Sequence, residues 1–184
     1  SAAASDVYQR QLFSLFDSFQ QEHSLEYNYN PFNKYEINSM DVNEVWEVIT
    51  EETKKRAQAE PVLASFFHAT VLEHDSFSST LANQLASDLS SFAVTPMMLR
   101  SVIKDAINSS DTMLSDVAFD LIATKDRDPA CKYFSTPLLF YKGFKALQAH
   151  KVSYWLWSND RHTLALFIQS RSSDCLFYTS PSPR

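Results

Sequence analysis

One glycine, Gly143, serves the whole chain of 184 residues. Phosphate-cradling loops, dinucleotide fingerprints and nucleophile elbows all need glycine for a tight turn or a close backbone approach, so none of them can be written here. The glycine-bearing hexapeptides of a left-handed β-helix are excluded from this stretch as well. Cysteine is nearly as scarce. Cys131 and Cys175 make neither a CxxC pair nor a disulfide framework, and a reducing compartment is the simplest expectation. No apolar run nears the roughly 20 residues that a membrane-spanning helix needs. Asp6, Arg10 and Asp17 interrupt the N-terminal pattern, which reads as neither a secretory signal nor an Arg-rich transit peptide. Net charge is −6 without a basic patch, so nothing points to nucleic acid or an anionic membrane. Lys54, Lys55 and Arg56 are adjacent, but Glu51 and Glu52 precede them, and the group reads as a solvated helix face.

What is present is a folding chain. Hydrophobic residues make up 45% and charged residues 21%, the profile of a soluble globular protein. At this length, folding buries roughly 70% of the surface an unfolded chain exposes. Val7, Tyr8, Leu12, Leu15, Phe16 and Phe19 have helical spacing over residues 5–22, and a turn-prone stretch from Tyr27 to Asn33 follows. Residues 1–40 are read as an extension with a linker. From Asp41 the helix signals sharpen. Asp41 and Glu44 form a capping-box-like start, and Val42, Val45, Trp46 and Ile49 supply one stripe. Pro61 ends that helix and opens the next, which carries Leu63, Phe66, Phe67 and Val71. Ser76 opens a third, with Phe77, Leu81, Leu85 and Leu89 four apart. Thr95-Pro96 starts a fourth, and Asp111 is expected to cap a fifth with Leu114, Val117, Ala118 and Leu121. Residues 126–135 read as an ordered loop. Thr136-Pro137 then starts one long apolar helix to about Trp157, with Gly143 inside it to admit a close neighbour, and Asp160 starts the last. No strand-type alternation persists. The expected fold is all-α, a bundle of about seven or eight helices.

Few constellations carry chemistry. His68 and His74, six apart, fall on opposed helix faces, and no HExxH or paired Cys/His spacing suggests a metal. His68 reads as a packed core or interface histidine, and Cys131 as a small apolar filler without a neighbouring base. Tyr154, Trp155 and Trp157 read as core and subunit contact. The sharpest local feature is Asp126-Arg127-Asp128-Pro129. Proline pushes the residue before it out of helical geometry, so the Asp128 carboxylate can face a cleft and bind an ammonium group. By spacing alone, however, an Asp-Pro pair more often only begins a turn.

Taken together, several segments resemble one family. Glu60-Pro61-Val62-Leu63-Ala64-Ser65-Phe66-Phe67-His68-Ala69-Thr70 resembles the second helix of serine acetyltransferases. Arg127-Asp128-Pro129-Ala130-Cys131, Ser135-Thr136-Pro137-Leu138-Leu139 and Tyr141-Lys142-Gly143-Phe144-Lys145-Ala146-Leu147-Gln148-Ala149-His150 look like that family's loop and long helix. Arg161 through Arg171 looks like its exit helix, and the likeness spans about residues 42–171. The resemblance implies acetyl transfer from acetyl-CoA to the hydroxyl of L-serine, yielding O-acetyl-L-serine for cysteine biosynthesis. It implies an N-terminal helical bundle that assembles trimers or dimers of trimers. It also implies a left-handed β-helix that holds acetyl-CoA between subunits, with a histidine, oriented by an aspartate, as general base. The family's Arg-Asp-Pro aspartate helps hold the amino group of serine and of inhibitory cysteine. Here that residue is Asp128, the one substrate-binding position expected in this chain.

After Arg171 the resemblance ends. The family enters its β-helix through an Asp-Ile-His-Pro run, whereas this sequence reads Ser172-Ser173-Asp174-Cys175-Leu176-Phe177-Tyr178-Thr179-Ser180-Pro181-Ser182-Pro183-Arg184. The domains expected are an extension over 1–40, the helical domain over 41–171 and a non-matching tail over 172–184, read as a joining or adapter artefact. No catalytic, cofactor-binding or metal residue is expected within the chain, and the fragment is expected to be inactive by itself. The alternative is a natural, non-catalytic helical module that oligomerises with full-length subunits. A cytoplasmic setting is expected, with an organelle left open. Docking to O-acetylserine sulfhydrylase is implied for a full-length parent only.

Overall fold

A computed structural model describes residues 40–174. The helix expected over residues 5–22, the 1–40 extension and all but the first residues of the tail lie outside the described residues. Among the described residues there are eight α-helices and no strand, as expected of an all-α domain. They are α1 (Val42–Ala59), α2 (Ala64–Phe67), α3 (Phe77–Leu89), α4 (Pro96–Ser109), α5 (Met113–Arg127), α6 (Ser135–Phe140), α7 (Lys142–Ser158) and α8 (His162–Ser172).

Local chemistry explains where they start. The Asp41 carboxylate accepts from the N–H groups of Asn43 and Glu44, while Glu44 accepts from the Asp41 N–H at 2.8 Å, a complete capping box. Ser76 caps α3 through the Ser79 N–H. Pro96 opens α4 as expected, although the Thr95 side chain makes no capping hydrogen bond. Asp111 does not cap α5. Thr112 holds the N-cap position, and the Ser110 hydroxyl accepts from the Met113 N–H.

The expected second helix is three pieces: a 3-10 turn (Pro61–Leu63), α2 and a π-turn (His68–Leu72). The Thr70 hydroxyl donates to the Phe66 carbonyl at 2.6 Å, back-bonding of the kind that loosens and bends a helix. Phe67 and Val71 are buried, Leu63 is exposed and so is His68, so of its two readings, core or interface, the core one does not hold.

The core is built around α3, where ten of thirteen residues are buried, including Phe77, Leu81, Leu85 and Leu89. Each fully buried leucine contributes about 1.5–3 kcal/mol. Helix α4 folds back on α3 as a helical hairpin and presents Leu99, Ile103, Ala106 and Ile107, and α7 pairs similarly with α8. Polar ties fix α7 among its neighbours. Lys145 Nζ, nearly buried, lies 2.8 Å from Asp88 of α3, and Lys151 and Gln148 both donate to Asp120 of α5. Arg171 of α8 donates to the Leu89 and Ser90 carbonyls at the C-terminal end of α3, where a cation complements the helix dipole.

The expected single helix from Thr136 to Trp157 is broken. Tyr141 is extended (φ −84°, ψ 107°), which separates α6 from α7. The break leaves the Leu139 carbonyl without its helical donor, and Lys145 Nζ supplies one at 3.4 Å. Gly143 falls in the first turn of α7 with no atom within 4 Å of an added Cβ, so it does not serve the close approach expected of it. Asp160 does not start α8 either. It takes a left-handed conformation (φ 58°) after α7, and Arg161 precedes α8. Tyr154 and Trp157 are exposed and Trp155 is half-buried, so these rings are not core.

Candidate functional site

The one candidate site residue, Asp128, stands at the C-terminal end of α5. Helix α5 runs two residues further than expected, so Asp126 and Arg127 belong to its last turn rather than to a loop. Pro129 then stops it. Asp128 is extended (φ −97°, ψ 105°), as a residue before proline should be, although its N–H still reaches the Thr124 carbonyl at 3.0 Å. Its Oδ1 accepts from the Ala130 N–H at 2.9 Å, and its carbonyl accepts from the Cys131 N–H at 2.9 Å. This Asx turn fixes the carboxylate and uses one of its four or so acceptor positions. The side chain is half-buried, open enough to receive a ligand cation.

Two neighbours face it. Cys131 is a buried free thiol, as expected of a filler, with Sγ 3.5 Å from the Tyr133 carbonyl. Burial, and then the charge of Asp128, raise its pKa, so it stays a thiol at neutral pH and is a poor nucleophile. The Tyr141 phenol is also raised, by its half-buried position and by hydrogen bonding to the Asp128 carboxylate and its charge. The sequence did not single out Tyr141, because the break between α6 and α7 at which it stands was not expected.

The same segment is tied to α1. The Glu52 carboxylate accepts from the N–H groups of Phe134 and Ser135 and from the Ser135 hydroxyl. Arg56 donates to the hydroxyls of Ser135 and Thr136, with its guanidinium over the rings of Phe67, Tyr133 and Phe140. The solvated-face reading therefore holds for Lys54 and Lys55, both exposed, and fails for Arg56 and Glu52. Chain separations of 79 to 83 residues hide these pairings from any local pattern.

Among the described residues the histidines offer no competing centre. His74 is lowered in pKa by burial and then by Arg100, and its Nδ1 lies 3.3 Å from the Ser79 hydroxyl. Burial lowers His150 too. Among the described residues no group of three or more His, Cys, Asp or Glu side chains could hold a metal ion, and no helix is long and apolar enough to cross a membrane.

Comparison with known proteins converges on one family. The family described as "Serine acetyltransferase, N-terminal" matches residues 45–149, more than half of the chain. The serine acetyltransferase of Escherichia coli (strain K12) is 43% identical over 129 residues, 70% of this chain and 47% of that protein. A crystal structure of Neisseria gonorrhoeae serine acetyltransferase in complex with serine matches with a TM-score of 0.72 and 42% identity, covering 77% of this chain and 57% of that one. Serine acetyltransferase structures in complex with cysteine and with CoA match at 0.72 and 38% identity, covering 75% and 74% of this chain and 57% and 58% of theirs. The chain thus spans about half the length of the curated relatives it matches. Over that half, sequence and helical architecture agree, and the chain belongs to the serine acetyltransferase family.

Proposed function

We propose that this chain is the N-terminal helical portion of a serine O-acetyltransferase, which transfers acetyl from acetyl-CoA to L-serine and releases O-acetyl-L-serine and CoA in cysteine biosynthesis. The observation that carries the reading is the Asp128 turn. A half-buried carboxylate, pinned by its own Asx turn, suits the ammonium group of an amino acid. Such a charge-assisted contact is worth about 1.5–3 kcal/mol. In this reading Asp128 orients serine, and by the same contact inhibitory cysteine, while the reacting hydroxyl lies elsewhere. The general base and the acetyl-CoA groove are assigned, by family resemblance, to a left-handed β-helix domain. Neither His68, exposed on a π-turn, nor His74 and His150, half-buried and lowered in pKa, suits the base.

The bundle is further proposed to join subunits into trimers or dimers of trimers. Large apolar side chains stand in water on its surface: Phe92 fully, Val62 at 93% and Met97 at 81% exposure. That same surface favours the second reading, a non-catalytic module that oligomerises with full-length subunits. A free, buried Cys131 accords with a reducing cytoplasm. Docking to O-acetylserine sulfhydrylase is left to a full-length parent.

The test pairs two preparations. A polypeptide of residues 1–184 is expected to release no CoA from acetyl-CoA and L-serine, whereas the gene read contiguously past the Arg171 codon yields an enzyme that does. Turnover by the 184-residue polypeptide would overturn the division of labour. A contiguous gene that stops after the Arg184 codon would favour the module reading and make the tail genuine.

A further inference from the structure

The Asp128 turn and Tyr141 are joined by a stretch whose only helix, α6, cannot stabilise itself. It has six residues, Phe134 gives it no side-chain cap, and a helix that short is unstable alone. Its support comes from α1. Glu52 accepts from the Phe134 N–H at 3.2 Å, the Ser135 N–H at 3.0 Å and the Ser135 hydroxyl at 3.0 Å. One turn along α1, Arg56 Nη1 donates to the Ser135 hydroxyl at 3.0 Å and to the Thr136 hydroxyl at 3.4 Å. Its guanidinium carbon lies 5.2 Å from the ring centres of Phe67 and Tyr133 and 5.4 Å from that of Phe140. The Ser135 hydroxyl therefore donates to Glu52 and accepts from Arg56, in a position without solvent exposure.

We infer that Glu52 is a positioning residue for substrate: by holding Phe134 and Ser135 it fixes the short Cys131–Tyr133 stretch that closes the Asp128 turn, and so sets where the Asp128 carboxylate meets the amino group of the amino acid. This rests on the proposed reading of Asp128. A carboxylate facing two amide N–H groups and a hydroxyl makes charge-assisted hydrogen bonds, stronger than any neutral cap could make. Without it those half-buried donors lose their acceptor, the start of α6 frays, and the Tyr133 carbonyl, which accepts from Cys131 Sγ and the Thr136 N–H, shifts with it. Asp128 keeps its Asx turn with Ala130, but the Cys131 N–H that its carbonyl accepts moves with the loosened stretch. Arg56 contributes alongside, wedged among three rings. Glu52 reaches Asp128 only through other residues, so its effect belongs to substrate affinity and not to the acetyl-transfer step.

The complete enzyme decides it, with Asp128→Asn as reference and Glu52→Ala and Glu52→Gln as probes. Glu52→Ala is expected to raise the serine KM about tenfold and weaken cysteine binding by a similar factor, since a misplacement of about 1 Å can cost that much or more. The acetyl-CoA KM and kcat stay within about twofold of the parent. Glu52→Gln, whose amide oxygen still accepts from Ser135, recovers most of the loss, and it carries the comparison should the alanine variant fail to fold. Unchanged serine KM and cysteine affinity in a folded Glu52→Ala, or serine and acetyl-CoA constants rising together with a falling Tm, would overturn the inference. If Asp128→Asn raises the serine KM and Glu52→Ala does not, the inference alone fails. If Asp128→Asn changes nothing, the reading of the site fails and takes the inference with it.

Discussion

Asp160 occupies a place where most chains would use glycine. After α7 the Asp160 N–H donates to the Trp157 carbonyl and the Arg161 N–H to the Leu156 carbonyl, the paired bonds of a Schellman ending, with Asp160 left-handed at φ 58°. A residue with a Cβ is strained there by about 1 kcal/mol, only partly relieved for aspartate. Asp160→Gly is therefore expected to stabilise the fold by about 1 kcal/mol, read as a higher urea midpoint with an unchanged slope. A lower midpoint would contradict the assignment. Gly143, by contrast, sits where nothing crowds it. The sequence suggested close packing at Gly143 and a helix start at Asp160. Both expectations failed because backbone conformation at one residue depends on what the next element does, which composition does not record.

At the scale of elements, the helices with local signals were the legible ones. Asp41–Glu44, Ser76 and Pro96 mark starts through atoms within three residues of each other, and α1, α3 and α4 begin there. The four-residue spacing of Phe77, Leu81, Leu85 and Leu89 likewise marked the helix that became the centre of the core. The break at Tyr141 was not legible, because what stabilises it comes from afar: Lys145 satisfies the Leu139 carbonyl, and Glu52 holds the start of α6. Lys145 also pairs with Asp88, which receives a further hydrogen bond from Gln84. Removing one member leaves an unpaired charge in a nearly dry site. Asp88→Ala is expected to cost about 3 kcal/mol, while Asp88→Leu together with Lys145→Met regains most of it. Equal losses in the single and double variants, by chemical denaturation, would show that the pair contributes no such penalty.

For the whole molecule, family membership was legible in Glu60–Thr70, the Arg127–Cys131 run and Tyr141–His150, because several separated segments agreed in order. Of the candidate site, the sequence offered Asp128 alone. Its supports, Glu52 and Arg56 on α1 and the Phe134–Thr136 stretch they hold, lie about eighty residues apart and meet only in three dimensions. A domain that spans about half of its curated relatives accordingly contributes one carboxylate to a proposed substrate site, with several helices holding it in place. The most direct test of that claim is the affinity of the complete enzyme for L-serine, measured by titration calorimetry on the parent and on Asp128→Asn. The account predicts that the variant, folded and with acetyl-CoA affinity intact, binds serine roughly ten- to a hundredfold more weakly. Equal serine affinity in the two proteins would contradict it.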